Sequence, residues 1–176
     1  MRYTEFPSPL GRLLAVCNGD AVTGLHFETE RHPPRRDAGW LRVENDPLLT
    51  VLRQQLDEYW AGRRRQFDVP MAPAGTAFQR AVWHAIAVVP YGEVISYGEL
   101  ARRVGSPRGM RAAGLATGHN PISIVVPCHR IVGSTGALTG YGGGLDRKVW
   151  LLRHEGVRLP ALERAASQLF TAARAE

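Results

Sequence analysis

The sequence predicts an α/β (α+β) protein in two parts: a small unit with a short antiparallel sheet, then a mostly helical unit. Three observations carry this prediction. Strand and turn signals crowd the start of the chain, helix-capping signals crowd the stretch after Gly75, and a proline-bearing segment lies between them. The parts are expected at 1–75 and 76–176, with a linker at about 67–75 that carries Pro70 and Pro73. A chain of 176 residues can bury one ordinary core but not that of a large multidomain enzyme.

In the first part, Arg2 to Phe6, Leu13 to Cys17 and Val22 to Phe27 read as strands. Pro7-Ser8-Pro9-Leu10-Gly11 and Asn18-Gly19-Asp20 are turn chemistry between them. From Glu30 to Asn45 the chain is polar and without period, which predicts a loop. Asp46-Pro47 opens a helix in which Leu48, Leu52, Leu56 and Tyr59 recur at core spacing, and Gly62 ends it.

In the second part, Thr76 with Gln79 and Ser96 with Glu99 each form a capping box. The first helix is expected to bury Phe78, Val82, Trp83 and Ile86. The second is expected to run to Val104, followed by Gly105-Ser106-Pro107 and a further helix from about Arg108 to Gly118. A short helix, a tight turn and another helix make a helix-turn-helix. Ile122 to Val126 reads as a short buried strand or extended segment. Asp146 is expected to cap a helix through His154. A terminal helix from Pro160 to Ala173 is expected to pack through Leu162, Ala166, Leu169 and Phe170.

Composition narrows the function classes. Apolar residues make up 44% and charged residues 22%, which argues against disorder. No apolar run is long enough to span a membrane, and the start lacks the apolar core of a signal peptide. With only Cys17 and Cys128, no disulfide framework exists, and a cytoplasmic protein is expected. The net charge is +6, and residues 1–75 balance ten arginines with ten acids, so the whole excess lies after them. A basic second part beside a neutral first part fits contact with a polyanion by one part only; compositional drift is the simpler alternative.

Pro127-Cys128-His129-Arg130 is the one local cluster with nucleophilic chemistry. The thiolate, not the thiol, is the nucleophile, so an imidazole to take the proton and a cation to favour the anion both matter. In a regular strand Cys128 and His129 would face opposite ways, so they can cooperate only across a bend, which Pro127 permits, or through a water. Taken alone, the tetrapeptide is more simply an inert buried cysteine. A base of this kind needs a third group to orient it, and His154 and Glu155 are both candidates.

Six ordered motifs resolve that ambiguity. They are Pro90-Tyr91-Gly92-Glu93-Val94-Ile95-Ser96-Tyr97, Arg111-Ala112-Ala113-Gly114, Asn120-Pro121, Ile124-Val125-Val126-Pro127-Cys128-His129-Arg130, Gly140 to Leu145, and Lys148 through His154-Glu155-Gly156. In this order and spacing they resemble the O6-alkylguanine-DNA alkyltransferases, the methylated-DNA–protein-cysteine methyltransferases. Ser8-Pro9-Leu10-Gly11 and Gly24-Leu25 extend the likeness, more loosely, over the first part.

The resemblance implies a ribonuclease-H-like first domain and a winged helix-turn-helix second domain. It implies a suicide repair protein that moves an alkyl group from O6-alkylguanine in double-stranded DNA onto its own Cys128, once, after flipping the nucleotide out. His129 would deprotonate Cys128 through a water, and Glu155 would polarise His129. Tyr97 would protonate the departing guanine, and Asn120 would brace the turn before the cysteine. Arg111 would enter the DNA stack, with Ala112, Ala113, Gly114 and Ala116 in the minor groove and Arg130 also toward DNA. The base pocket would draw on Tyr97, Val126, Pro127, Tyr141, Gly142, Gly143 and Lys148. No cofactor and no metal are expected, since Cys17, His26 and His32 are too few for a closed tetrahedral zinc site. A monomer without a membrane partner is expected; O4-alkylthymine as a second substrate and clustering on DNA stay open. Gly118-His119 departs from the family, where a further arginine is common, and Gly142 stands where some members have serine.

The chemistry agrees with that reading. A methyl carbon on a base oxygen is displaced in line, and a soft thiolate suits it. A phenol can neutralise the leaving guanine anion. The target lies inside a duplex, so flipping is required, at a cost of roughly a few kcal/mol.

Overall fold

Short turns set up the sheet. In the computed structural model, which describes residues 1–34, 36 and 38–172 and side chains as far as 169, strands β1 (Arg2–Ser8), β2 (Gly11–Cys17) and β3 (Val22–Phe27) form an antiparallel meander. The register pairs Ser8 with Gly11 and Arg2 with Cys17. Asn18 Oδ1 accepts from the backbone N–H of Asp20 and Ala21, closing the second turn. The predicted loop contains a two-residue strand, β4 (Leu41–Arg42), which pairs parallel to β1. Both its residues are exposed, so the apolar patterning that marks longer strands is missing.

Helix α1 (Pro47–Trp60) starts as predicted. Asp46 Oδ1 accepts from the N–H groups of Leu48 and Leu49, and Leu49, Leu52, Leu56 and Tyr59 are buried against the sheet side of the core. Helix α2 (Ala77–Ala87) carries both halves of the Thr76–Gln79 capping box. For α3 (Tyr97–Arg103) only one half forms: Ser96 Oγ accepts from Glu99 N–H, while the Glu99 carboxylate pairs with Arg102 and Arg103 instead. Helix α4 (Met110–Gly118) begins two residues later than expected and, with α3, makes the helix-turn-helix. A small parallel pair, β5 (Ile95–Ser96) with β6 (Ile131–Val132), joins the start of α3 to the segment after the cysteine.

The largest correction concerns Ile122 to Val126. Ile122 makes a single parallel bridge with Leu25 and Ser123 to Val125 form turns, so no continuous strand runs through the segment. The edge of β3 holds them: Leu25 N–H donates to Pro121 O and Ser123 N–H donates to Leu25 O. The sheet of the first part therefore positions the reactive segment of the second. Helix α5 (Leu145–His154) is capped at Gly144, not at Asp146, which lies in its first turn. In α6 (Pro160–Ala172) Leu162 and Ala166 are buried on α5, whereas Leu169 is exposed. The Phe170 side chain and Ala173 lie outside the described residues. One apolar core runs through both parts, from Phe27, Leu52 and Tyr59 to Trp83, Leu100 and Val126.

Candidate active site

A turn and a single 3-10 turn present the thiol. Asn120 follows the end of α4, and its Oδ1 accepts from Ile122 N–H at 3.1 Å. Its Nδ2 donates to Val126 O at 2.8 Å and to Cys128 Sγ at 3.1 Å. Asn120 thus braces the turn and also touches the sulfur. Ile124, buried within the same turn, has φ 73°, a left-handed conformation that costs a β-branched residue about 1–3 kcal/mol. Cys128–Arg130 then form the 3-10 turn, which supplies the bend that places Cys128 and His129 off a regular strand.

Cys128 is a buried free thiol. Burial pushes its ionisation up, while the Asn120 bond and the Lys148 charge pull it down. At rest the neutral thiol is favoured, so a base is needed. His129 Nε2 meets Glu155 Oε1 at 2.8 Å, and its Nδ1 is buried without a hydrogen-bond partner. A carboxylate on Nε2 fixes the tautomer with the proton there and leaves Nδ1 as the basic nitrogen. Burial holds His129 below the ordinary imidazole range, Glu155 opposes this, and Arg130 and Lys148 reinforce it. Burial alone would raise the Glu155 carboxyl, but its bonds to His129 and Arg130 outweigh that and hold it well below the usual range.

Of the two candidates for the third group, the structure selects Glu155. His154 Nε2 meets Tyr59 O instead. Glu155 Oε1 also accepts from the Tyr59 hydroxyl at 2.7 Å. Arg130 donates from Nε to Oε2 at 2.8 Å and from Nη2 to Oε1 at 2.9 Å, and from Nη1 to Val89 O. This corrects the DNA-facing role expected of Arg130. Its guanidinium is buried in a bidentate ion pair with Glu155 and is not presented to the surface.

Cys128, Asn120, Tyr141 and Gly142 line a cavity of about 290 Å³. The first part of the chain contributes His26 and Glu30 to the same wall, where His26 Nδ1 meets Glu30 Oε1 at 2.6 Å. No sequence signal links them to Cys128. Tyr97, Val126, Pro127, Gly143 and Lys148 do not line this cavity. Lys148 is fully buried; its Nζ donates to Ile131 O at 2.6 Å and Thr139 O at 2.9 Å, and burial lowers it to about 8. Its ammonium is therefore held by backbone carbonyls and not presented to this cavity. Burial raises the Tyr97 phenol, so it keeps its proton.

The segment Tyr141–Gly144 is tied to the sheet. Tyr141 packs edge-on to Phe27, and Arg31 N–H donates to Gly142 O. A Cβ on Gly143 would come within 2.7 Å of the Phe27 ring. Arg147 lies over Phe27 and donates to Gly143 O, Leu10 O, Thr29 O and Thr29 Oγ1.

On α4, Arg111 and Ala112 are exposed, together with Met110 and Leu115. Ala113 and Ala116 are not available to a groove. Both are buried against the core, where Trp83 Nε1 donates to Ala116 O. Gly114 is half-buried beside the Tyr97 ring. Among the described residues no three His, Cys, Asp or Glu side chains converge to hold a metal ion. No described helix is long and apolar enough to cross a membrane.

Fold and site together define a class, an α/β protein in which a helix-turn-helix part carries a thiol with its own imidazole and carboxylate. Comparison with known proteins narrows it. Residues 1–73 match the ribonuclease-like domain of 6-O-methylguanine DNA methyltransferase, and residues 77–157 match its DNA-binding domain. A methylated-DNA–protein-cysteine methyltransferase of Haemophilus influenzae is 42% identical over 163 residues, covering 92% of this chain and 89% of the relative. One from Mycolicibacterium paratuberculosis is 45% identical over 161 residues, covering 92% and 96%. The crystal structure of Mycobacterium tuberculosis OGT in complex with DNA superposes with a TM-score of 0.83 at 42% identity, covering 92% of this chain and 97% of that one. The chain belongs to the 6-O-methylguanine DNA methyltransferase family.

Proposed function

We propose that the protein repairs DNA by transferring an alkyl group from O6-alkylguanine irreversibly to Cys128. The observation that carries this reading is the Cys128 thiol itself, hydrogen-bonded by Asn120, next to the His129–Glu155 pair and at the wall of a cavity. His129 Nδ1 takes the thiol proton through a water. The sulfur lone pair forms the C–S bond as the C–O6 bond breaks, and that electron pair returns to the guanine. Tyr97 gives its proton to the guanine ring, and the thiol proton restores Tyr97 by way of solvent. The products are a thioether and unmodified guanine. A thioether is inert to hydrolysis at neutral pH, so each molecule acts once.

Residues 1–75 serve as a scaffold that shapes the pocket, and residues 76–176 bind DNA and accept the alkyl group. Arg111, exposed at the start of α4, fills the gap left by the flipped nucleotide, with Ala112 beside it. Tyr141 and Gly142 cover the extruded base. The protein acts as a monomer on duplex DNA, and its affinity falls steeply with salt because binding at any sequence depends on phosphate contacts. Transfer of tritiated methyl from alkylated duplex to wild-type protein but not to Cys128→Ser tests the assignment; label on the serine variant refutes it.

A further inference from the structure

Tyr59 sits in the last turn of α1, within residues 1–75, the part proposed as a scaffold. Its side chain is fully buried. Its hydroxyl donates to the same Glu155 oxygen that accepts His129 Nε2, at 2.7 and 2.8 Å. We infer that Tyr59 is a positioning residue for alkyl transfer, which acts through Glu155 to orient His129 and to moderate the negative charge that His129 meets. The inference rests on the reading of Cys128 as acceptor and His129 as its base.

The carboxylate does not need Tyr59 to be satisfied. Without it, Oε1 still accepts from His129 and Arg130, and Oε2 from Arg130 and Gly92 N–H. The phenol adds a further, permanent donor: burial first, then the Glu155 charge, push its ionisation up, so it stays protonated. Its ring is locked edge-on against Trp60, Tyr91 and His154, so the hydroxyl direction is fixed. The charged and titratable groups around the pair come from several elements. Tyr59 from α1 and His129 and Arg130 from the 3-10 turn bond to Glu155. Tyr91, from the turn after α2, packs on the Tyr59 ring and feels the Glu155 charge, and Tyr141 lies edge-on to His129. His154 and Lys148 lie on α5, and Cys128 precedes His129.

The sign of the effect follows from sharing. Each donor on the carboxylate draws away some of the charge that would otherwise stabilise a protonated His129. Removing the phenol proton leaves more of that charge facing Nε2. The imidazolium is then favoured, and less neutral His129 is available as base at any pH near its titration.

Tyr59→Phe keeps the ring and removes the donor. We expect the acid limb of the alkyl-transfer rate to move up by about half a pH unit, a roughly threefold loss on that limb, with the plateau nearly unchanged. The ring-nitrogen NMR titration of His129 should move by the same amount. Placing an ortho-fluorinated tyrosine at 59 keeps the hydroxyl and strengthens its donation, so the limb and the titration should move down; this variant decides the matter if Tyr59→Phe fails to fold. A loss that is uniform over pH with an unmoved His129 titration makes the role purely structural and overturns the inference. Absence of transfer by the wild type would refute the alkyltransferase reading separately, and the ring titration would still decide the role of Tyr59.

Discussion

Arg130 and Glu155 form a buried bidentate ion pair, with Nε and Nη2 each donating to a different carboxylate oxygen at 2.8 and 2.9 Å. Breaking one side of such a pair strands the other charge in the core. Arg130→Met should destabilise the fold by about 3–5 kcal/mol, measured by denaturant unfolding. A change below about 1 kcal/mol would place the guanidinium in solvent, contrary to the burial seen here.

Glu155 carries a pH signature. Its carboxyl is held below its ordinary value in the fold, so it contributes stability above the unfolded value of 4.5 and loses it as pH falls toward the folded one. Wild type should therefore lose stability on acidification through this range more steeply than Glu155→Gln. Melting temperatures of the two proteins between neutral pH and pH ~3 compare the slopes. Parallel curves would remove Glu155 from the list of strongly shifted groups.

Asn120 is the direct donor to Cys128 Sγ. Removing that hydrogen bond in Asn120→Ala should make the thiol harder to ionise, seen as thiolate ultraviolet absorbance appearing only at a higher pH than in the wild type. An unshifted thiol would leave Asn120 with only its turn-bracing role.

The two faces of α4 separate binding from packing. Ala112 is exposed and Ala113 is buried. Ala112→Glu should weaken duplex binding with little change in melting temperature. Ala113→Leu should cost about 1–3 kcal/mol of stability by overpacking. The reverse pattern would mean the helix presents its other side to DNA.

Arg147 ties Gly143 to Leu10 and Thr29, and so joins the pocket-covering segment to the sheet. Arg147→Ala should lower stability by about 1–3 kcal/mol and increase amide hydrogen exchange at residues 141–144 selectively. Unchanged exchange there would show the segment to be held by the Tyr141–Phe27 contact and the Arg31–Gly142 hydrogen bond without Arg147.

The legible features are the local ones. Asp46-Pro47, Thr76 with Gln79, and Asn18-Gly19 act over three or four residues, and each cap or turn formed as its chemistry dictates. Cys128, His129, Glu155 and Asn120 were readable as a set because their motifs stand in order along the chain. Long-range pairings were not readable. The β4 strand is two exposed residues paired with β1, and the Asn120–Cys128 turn is held by β3. Tyr59 shows the periodicity of a core residue, and nothing local reveals that its hydroxyl meets Glu155, 96 positions away. Arg130 beside the cysteine looks like a DNA contact until its carboxylate partner is seen. Ala113 and Ala116 share one stretch with Arg111, and burial in the core separates the inner face from the outer.

Intact-mass spectrometry after mixing the protein with excess O6-methylguanine duplex tests the central claim most directly. The account predicts a gain of one methyl group located on Cys128, with lesion loss halting at one equivalent per molecule. Lesion removal that continues past one equivalent, or that persists in Cys128→Ser, would contradict it.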